Sequence, residues 1–304
     1  SFNESETRKQ SLKVLIFYVI LTFIIFIILK FINLRTFDAF NISLTIISSG
    51  GFLPINNLET IINTDIKKII LSLTLLVSFF SLFLTYNIFF FRSKPLIVFS
   101  EDFYLAFYFI FLVIVFFIFF NNNNFPDLLL SITSTISNMG FYFNDSKLNL
   151  YFLYLILVII GGSFFSTSSG IRFLKLLTLT KFSINNLVSH INPKQILTYK
   201  ITFGENNISD DNINKYFLTV FIFVISLFSI TSLLTFFEIN FSDAFKIGIL
   251  TIMNTTNSSL FGLEAYDFQN INSVSKIILM FFMIIGRVEL LTLLILLKKY
   301  LFKN

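Results

Sequence analysis

The chain has 304 residues, of which 55% are hydrophobic and only 13% charged, against about a quarter charged in a soluble domain. Its mean hydropathy of +0.83 excludes a water-soluble globule and indicates a membrane protein. With no cysteine and one histidine, His190, disulfide scaffolds, thiolate zinc centres and histidine metal clusters are excluded, and a diffuse net charge of +5 excludes a nucleic-acid binder.

Six stretches reach the roughly 20 apolar residues that a helix needs to cross a bilayer. They are 14–32, 69–91, 103–120, 148–165, 216–237 and 274–297. The runs are continuous, without the alternation of barrel strands, so helices are the spanning form. The first run is followed by Lys30 and Arg35 rather than a small-residue cleavage site, which argues against a signal peptide. Between the members of each pair lies a shorter apolar segment, 37–47, 125–136 and 241–253, ending in small polar residues. Each is too short to cross and reads as a re-entrant helix lining a cavity. The predicted fold is therefore an all-α polytopic membrane protein of tandem helix–pore-loop–helix units around a central ion pore. The units are 1–97, 98–200 and 201–304.

Basic residues set the orientation. The N-terminus, the 92–102 loop, the 181–215 loop and the C-terminus carry most of them, among them Arg8, Arg92, Arg172, Lys175, Lys181 and Lys298. Positive-inside logic places these segments in the cytoplasm, for a multi-pass protein of the cell's inner membrane. The pore loops then open outward, with Asp38, Asp127, Asp145, Asp243 and Glu264 near a mouth that attracts cations.

The short segments repeat. FDAFNISLTIISSGGF (37–52) and FPDLLLSITSTISNMGF (125–141) place an aspartate and a glycine at the same separation, Asp38 to Gly51 and Asp127 to Gly140. A third copy begins FSDAFKIGILTIMNTTN at Phe241. Each aspartate is expected to cap its helix. Each helix C-terminus turns its negative dipole end and the following carbonyls toward the cavity, as suits a monovalent cation. Glycine permits the backbone angles that expose those carbonyls.

Two further features lie within apolar runs. The fourth run contains Gly161, Gly162, Ser163, Ser166, Thr167, Ser168, Ser169 and Gly170. It reads either as a flexible plug below the filter or as a tight face of small residues. The last run contains Arg287 and Glu289. An ionisable group there faces the bundle interior or a water-filled path, where Arg287 acts as a barrier to cations or as half of a structural ion pair.

Four stretches resemble the Trk/Ktr/HKT superfamily of potassium transporters, most of all its bacterial TrkH type: TIISSGGF (45–52), SITSTISNMGF (131–141), IIGGSFFSTSSGIRFLKLL (159–177) and MIIGRVELLTLLILL (283–297). The resemblance implies four pore units on one axis, of which these three match the second, third and fourth. It implies potassium as the transported ion, with no covalently bound cofactor. Implied partners are the bilayer, a second copy in a homodimer, and a cytosolic TrkA/KtrA-like nucleotide-binding regulatory subunit.

By the same likeness Ser48, Ser49, Gly50 and Gly51 form one filter segment, and Ser137, Asn138, Met139 and Gly140 the next. Asn254, Thr255, Thr256 and Asn257 form the last, residues 161–170 the gating loop, and Arg287 the arginine beneath the filter. The last segment departs from the pattern. Counting from Asp243 puts Thr256 in the glycine position and a one-residue shift puts Asn257 there. Asparagine tolerates a left-handed backbone better, which makes Asn257 the expected occupant. The gating loop, with serines and Phe164–Phe165 in place of glycines, is expected to be stiffer than usual.

Potassium uptake through a gated, channel-like path is the leading expectation, without enzymatic chemistry. A sodium-permeable path of the same fold and a non-conducting membrane subunit are the alternatives.

Overall fold

The computed structural model describes residues 4–53, 58–82, 100–119, 124–141, 150–164, 166–191, 202–203, 206–207, 210–263, 268 and 271–287. Within them the chain is helical. In order come α1 (Glu4–Phe31), α2 (Thr36–Ser48), α3 (Asp65–Phe79), α4 (Ser100–Phe119) and α5 (Phe125–Ile136). Then follow α6 (Tyr151–Ile159), α7 (Phe173–Ile191), α8 (Asp210–Phe236), α9 (Phe241–Ile252) and α10 (Ser273–Arg287). A two-residue hairpin, Thr202–Phe203 with Asn206–Asn207, precedes α8.

Among the described residues three helices are long and apolar enough to cross a membrane, over Val14–Phe31, Glu101–Phe119 and Asp211–Phe236. These match the first, third and fifth runs read from the sequence. The second and fourth runs are broken, and the sixth is described only in part. Helix α3 ends at Phe79, where Phe80 turns extended at φ −79° and ψ 163°. Helix α6 has only 9 residues, and α10 is described as far as Arg287. The physical reason is the same at the first two breaks. The carbonyls freed at Ser78, Phe79 and Ile159 accept hydrogen bonds from the serine-rich segment after α6, so leaving the helix strands no polar group.

The three short helices expected between the runs are present. Helices α2, α5 and α9 have 13, 12 and 12 residues, about 18–20 Å at 1.5 Å per residue against a hydrocarbon core of about 30 Å. Each packs against the long helix before it or against a neighbour: α2 on α1, α9 on α8, and α5 along α3. Two hydrophobic cores result. One gathers Leu21, Ile25, Ile42, Ile46, Leu71 and Leu75 with Met139 and Phe141, and the other centres on Ile132, Leu155, Ile230, Leu250 and Phe261.

The aspartates do not cap these helices as expected. The N-cap positions are Arg35, Asn124 and Asn240, none with a side-chain cap bond. Asp38, Asp127 and Asp243 each sit two residues into their helix, still beside the positive dipole end. Asp38 and Asp127 are buried. Asp127 meets Lys68 of α3 in an ion pair of 2.5 Å.

The three short helices are not equally enclosed. On α5 nearly every residue from Leu130 to Phe141 is buried, because α3, α4 and α6 all pack on it. On α2 one face stays open, with Phe37 70%, Phe40 52% and Leu44 45% exposed.

Candidate functional site

The three short helices end in the same way. Ser49, Asn138 and Asn254 stand in the same register from their aspartates, and all have left-handed backbones, φ 49°, 61° and 54°. This is a helix-terminating left-handed cap, in which the next amide turns back to an orphan carbonyl. Gly50 N–H donates to Thr45 O at 3.1 Å, Met139 N–H to Ser134 O at 2.9 Å and Thr255 N–H to Leu250 O at 2.9 Å. The chain then reverses direction and brings its carbonyls out of the helix.

In the first two copies the glycine follows, Gly51 and Gly140, both at φ 71°, an angle that side chains rarely take. Space forbids a side chain too, since a Cβ on Gly51 would lie 2.7 Å from Met139 O and one on Gly140 would collide with Asn257 O. A hydroxyl then fastens each loop: Thr45 Oγ1 donates to Phe52 O at 2.7 Å and Ser134 Oγ to Phe141 O at 2.9 Å. Sequence reasoning passed over these two hydroxyls, although their equal distance before each glycine was visible.

The third copy differs. Its left-handed residue is Asn254, so Thr256 stands in the glycine register, and neither Thr256 nor Asn257 has positive φ. The expectation that Asn257 takes the glycine role is thereby corrected: the loop never adopts the left-handed angle there, so asparagine's tolerance of it is not called upon. Leu250 replaces the fastening hydroxyl. Thr256 Oγ1 donates to Gly50 O at 2.8 Å, and Asn257 Nδ2 donates to Gly51 O at 2.7 Å and Met139 O at 3.2 Å. These bonds bring the three loops to one point.

Other predicted filter residues hold the loops in place. Asn138 Nδ2 donates to Val158 O at 3.2 Å and Met253 O at 3.3 Å, and Asn254 Nδ2 to Met283 O at 3.1 Å. Ser137 is fully buried, its Oγ donating back to Ser134 O. Thr255 is buried at 6% exposure.

Directly beside α2's end lies the serine-rich segment. Helix α6 stops at Ile159 and α7 restarts at Phe173, joined across the gap by a parallel bridge between Ile160 and Ile171. Gly162 admits no Cβ, because Phe79 O occupies that place. Ser163 N–H donates to Phe79 O and Ser168 N–H to Ser78 O, both at 3.1 Å. Ser168 Oγ accepts from Gly162 N–H at 3.0 Å and lies 3.0 Å from Ser166 Oγ. Gly161 and Gly170, the latter at φ 97°, touch backbone to backbone. The segment is thus a built loop, and the two sequence readings, plug and small-residue face, meet in it.

Two arginines hold the loop. Arg287 donates from Nη2 to Ser48 O at 2.9 Å and from Nη1 to Ser169 Oγ at 3.1 Å, tying loop and first pore helix together. Thr167 Oγ1 lies 3.4 Å from Ser49 Oγ. Arg172, read from sequence only as a cytoplasmic charge, donates from Nη1 to Ser163 O, Ser166 O, Ser166 Oγ and Ser168 O within 3.2 Å. Glu101 Oε1 accepts from Phe164 N–H at 3.0 Å, and Asp102 Oδ1 from Ser81 N–H at 2.9 Å. Glu289, Glu264 and Asp145 lie outside the described residues, as do 192–201, 204–205 and 208–209 of the expected 181–215 loop, whose ends belong instead to α7, running on to Ile191, and to α8, starting at Asp210.

Long apolar helices alternating with short ones define an all-helical membrane protein. No protein-family model and no curated protein matches the sequence. Among solved structures, the crystal structure of the potassium transporter TrkH from Vibrio parahaemolyticus matches with a TM-score of 0.84 at 23% identity, over 98% of this chain. The chain spans 65% of that protein's length. The fold is that of TrkH.

Proposed function

We propose that the chain is a potassium-translocating membrane subunit, a gated path along which the ion runs down its electrochemical gradient. The observation that carries this reading is the meeting of three re-entrant helix ends above the 161–170 loop. There the carbonyls of Gly50, Gly51 and Met139 are gathered by bonds from a third loop. Carbonyl oxygens so gathered replace a monovalent cation's hydration, and the three helix dipoles favour positive charge at that point. The protein supplies oxygen ligands and a movable obstruction, with no covalent chemistry.

The path requires a fourth wall. The open face of α2, where Phe37, Phe40 and Leu44 stand exposed, supports one more helix–loop–helix unit there, beside the three at 1–97, 98–200 and 201–304. The arrangement is completed by cytoplasmic N- and C-termini in an inner membrane, a homodimer, and a TrkA/KtrA-like nucleotide-binding subunit on the cytosolic face. Rubidium uptake into liposomes holding the purified chain, with potassium and sodium as competitors, tests the proposal. Uptake blocked by potassium and not by sodium is expected, and uptake blocked equally by both overturns potassium selectivity.

A second reading, a sodium-permeable or weakly selective path, is favoured by one observation: Thr256 stands where the other two loops have glycine.

A further inference from the structure

Of the three loops, the third has side chains where the first two have none. Thr256 replaces the glycine, and Asn257 follows it. Both turn inward onto the other loops: the Thr256 hydroxyl donates to Gly50 O at 2.8 Å, and the Asn257 amide to Gly51 O at 2.7 Å and Met139 O at 3.2 Å. Both neighbours of the amide are acceptors, which fixes its nitrogen as the atom facing them. The two N–H groups of one Nδ2 therefore bridge carbonyls from two different pore units. A dehydrated cation would bridge the same oxygens.

We propose that Asn257, assisted by Thr256, is a tethered competitor for the permeating ion, and so a specificity- and rate-determining residue of the filter. This rests on the transport reading above. A carbonyl that accepts a short hydrogen bond has part of its negative potential already satisfied, and an ion entering must displace the donor. The cation that passes is the one whose gain from these oxygens exceeds the loss of three hydrogen bonds. In the first two loops Gly51 and Gly140 put no donor into this space, because a Cβ on either would collide with the third loop. The competition is written into one unit alone.

The opposite role, a strut that merely holds the loops together, predicts the opposite result. The full chain is reconstituted in liposomes as wild type, Asn257→Asp, Asn257→Ala and Thr256→Ala, each first shown to be folded by its helical circular dichroism and a single gel-filtration peak. Asn257→Asp keeps the shape and removes both donors; Thr256→Ala removes the hydroxyl. Rubidium uptake is expected to rise roughly tenfold in both Asn257 variants, the equivalent of about 1.4 kcal/mol, and by a smaller factor in Thr256→Ala. Uptake unchanged from wild type, or reduced in both Asn257 variants, overturns the inference and leaves the transport reading standing. No rubidium uptake by any of the four folded proteins, with a fourth helix–loop–helix unit supplied as well as without it, overturns both.

Discussion

Lys68 Nζ lies 2.5 Å from Asp127 Oδ1, a lysine near the start of α3 paired with a carboxylate near the start of α5, both side chains at most 10% exposed. The pair pins the N-terminal end of α5 to the N-terminal end of α3, two helices earlier in the chain.

Removing one partner of a buried pair strands the other charge, at about 3–5 kcal/mol. Lys68→Met is expected to destabilise the protein by that order, and Lys68→Met with Asp127→Leu to recover most of the loss. Thermal unfolding in detergent, followed by circular dichroism, measures both. A double variant as unstable as the single one would show that packing around Asp127, and not its charge, sets the cost.

Arg172 fastens the 161–170 loop from Nη1, whose two N–H groups are shared among four oxygens within 3.2 Å. The chain has no cysteine, so a Thr167→Cys probe can be labelled without background. With Arg172→Ala added, maleimide labelling at residue 167 is expected to quicken roughly tenfold, since the bonds lost involve a charged donor. Labelling at an unchanged rate would mean that the Ser78 and Phe79 carbonyls hold the loop unaided.

Thr45 and Ser134 perform the same task in two units, each holding the carbonyl that follows a filter glycine. Thr45→Val removes the hydroxyl while keeping the shape, and is expected to cost about 1–2 kcal/mol along with most of the rubidium uptake. Thr45→Ser restores the donor and should restore both. A stable Thr45→Val protein with full uptake would refute the role.

Arg287 sits between the loop and Ser48 with its charge exposed. Arg287→Ala removes a positive charge from the proposed cation path and releases two bonds, so rubidium uptake is expected to rise. Arg287→Lys, which keeps the charge and loses the two-pronged geometry, should fall between. Equal uptake in all three leaves Arg287 a structural residue.

Much of this was legible in sequence because the bilayer permits few solutions. The three short helices announced themselves by length, and the Asp38–Gly51 and Asp127–Gly140 spacings gave the register that the backbone later shows. What escaped has a common cause. The left-handed turns at Ser49, Asn138 and Asn254 are made by residues with no glycine's signature, and the end of α3 at Phe79 depends on amides more than eighty residues away. Arg172 looks like any basic residue after an apolar run until the loop folds back under it. In the third copy the glycine that served as marker is gone while the left-handed turn at Asn254 remains, so the count from Asp243 to Thr256, and not the shift to Asn257, matches the backbone.

Gly161 N–H donates to Ile171 O at 2.9 Å and Ile171 N–H to Ile159 O at 3.0 Å. The excursion between them therefore leaves and returns at one point, like a purse drawn at the neck. Its contents can be rearranged while α6 and α7 stay where they are. Opening such a path requires no tilting or sliding of the helices that face the lipid. On the transport reading proposed above, the outline presented to the surrounding acyl chains would stay constant, and opening would be worked against the protein's own hydrogen bonds instead of against the elasticity of the membrane.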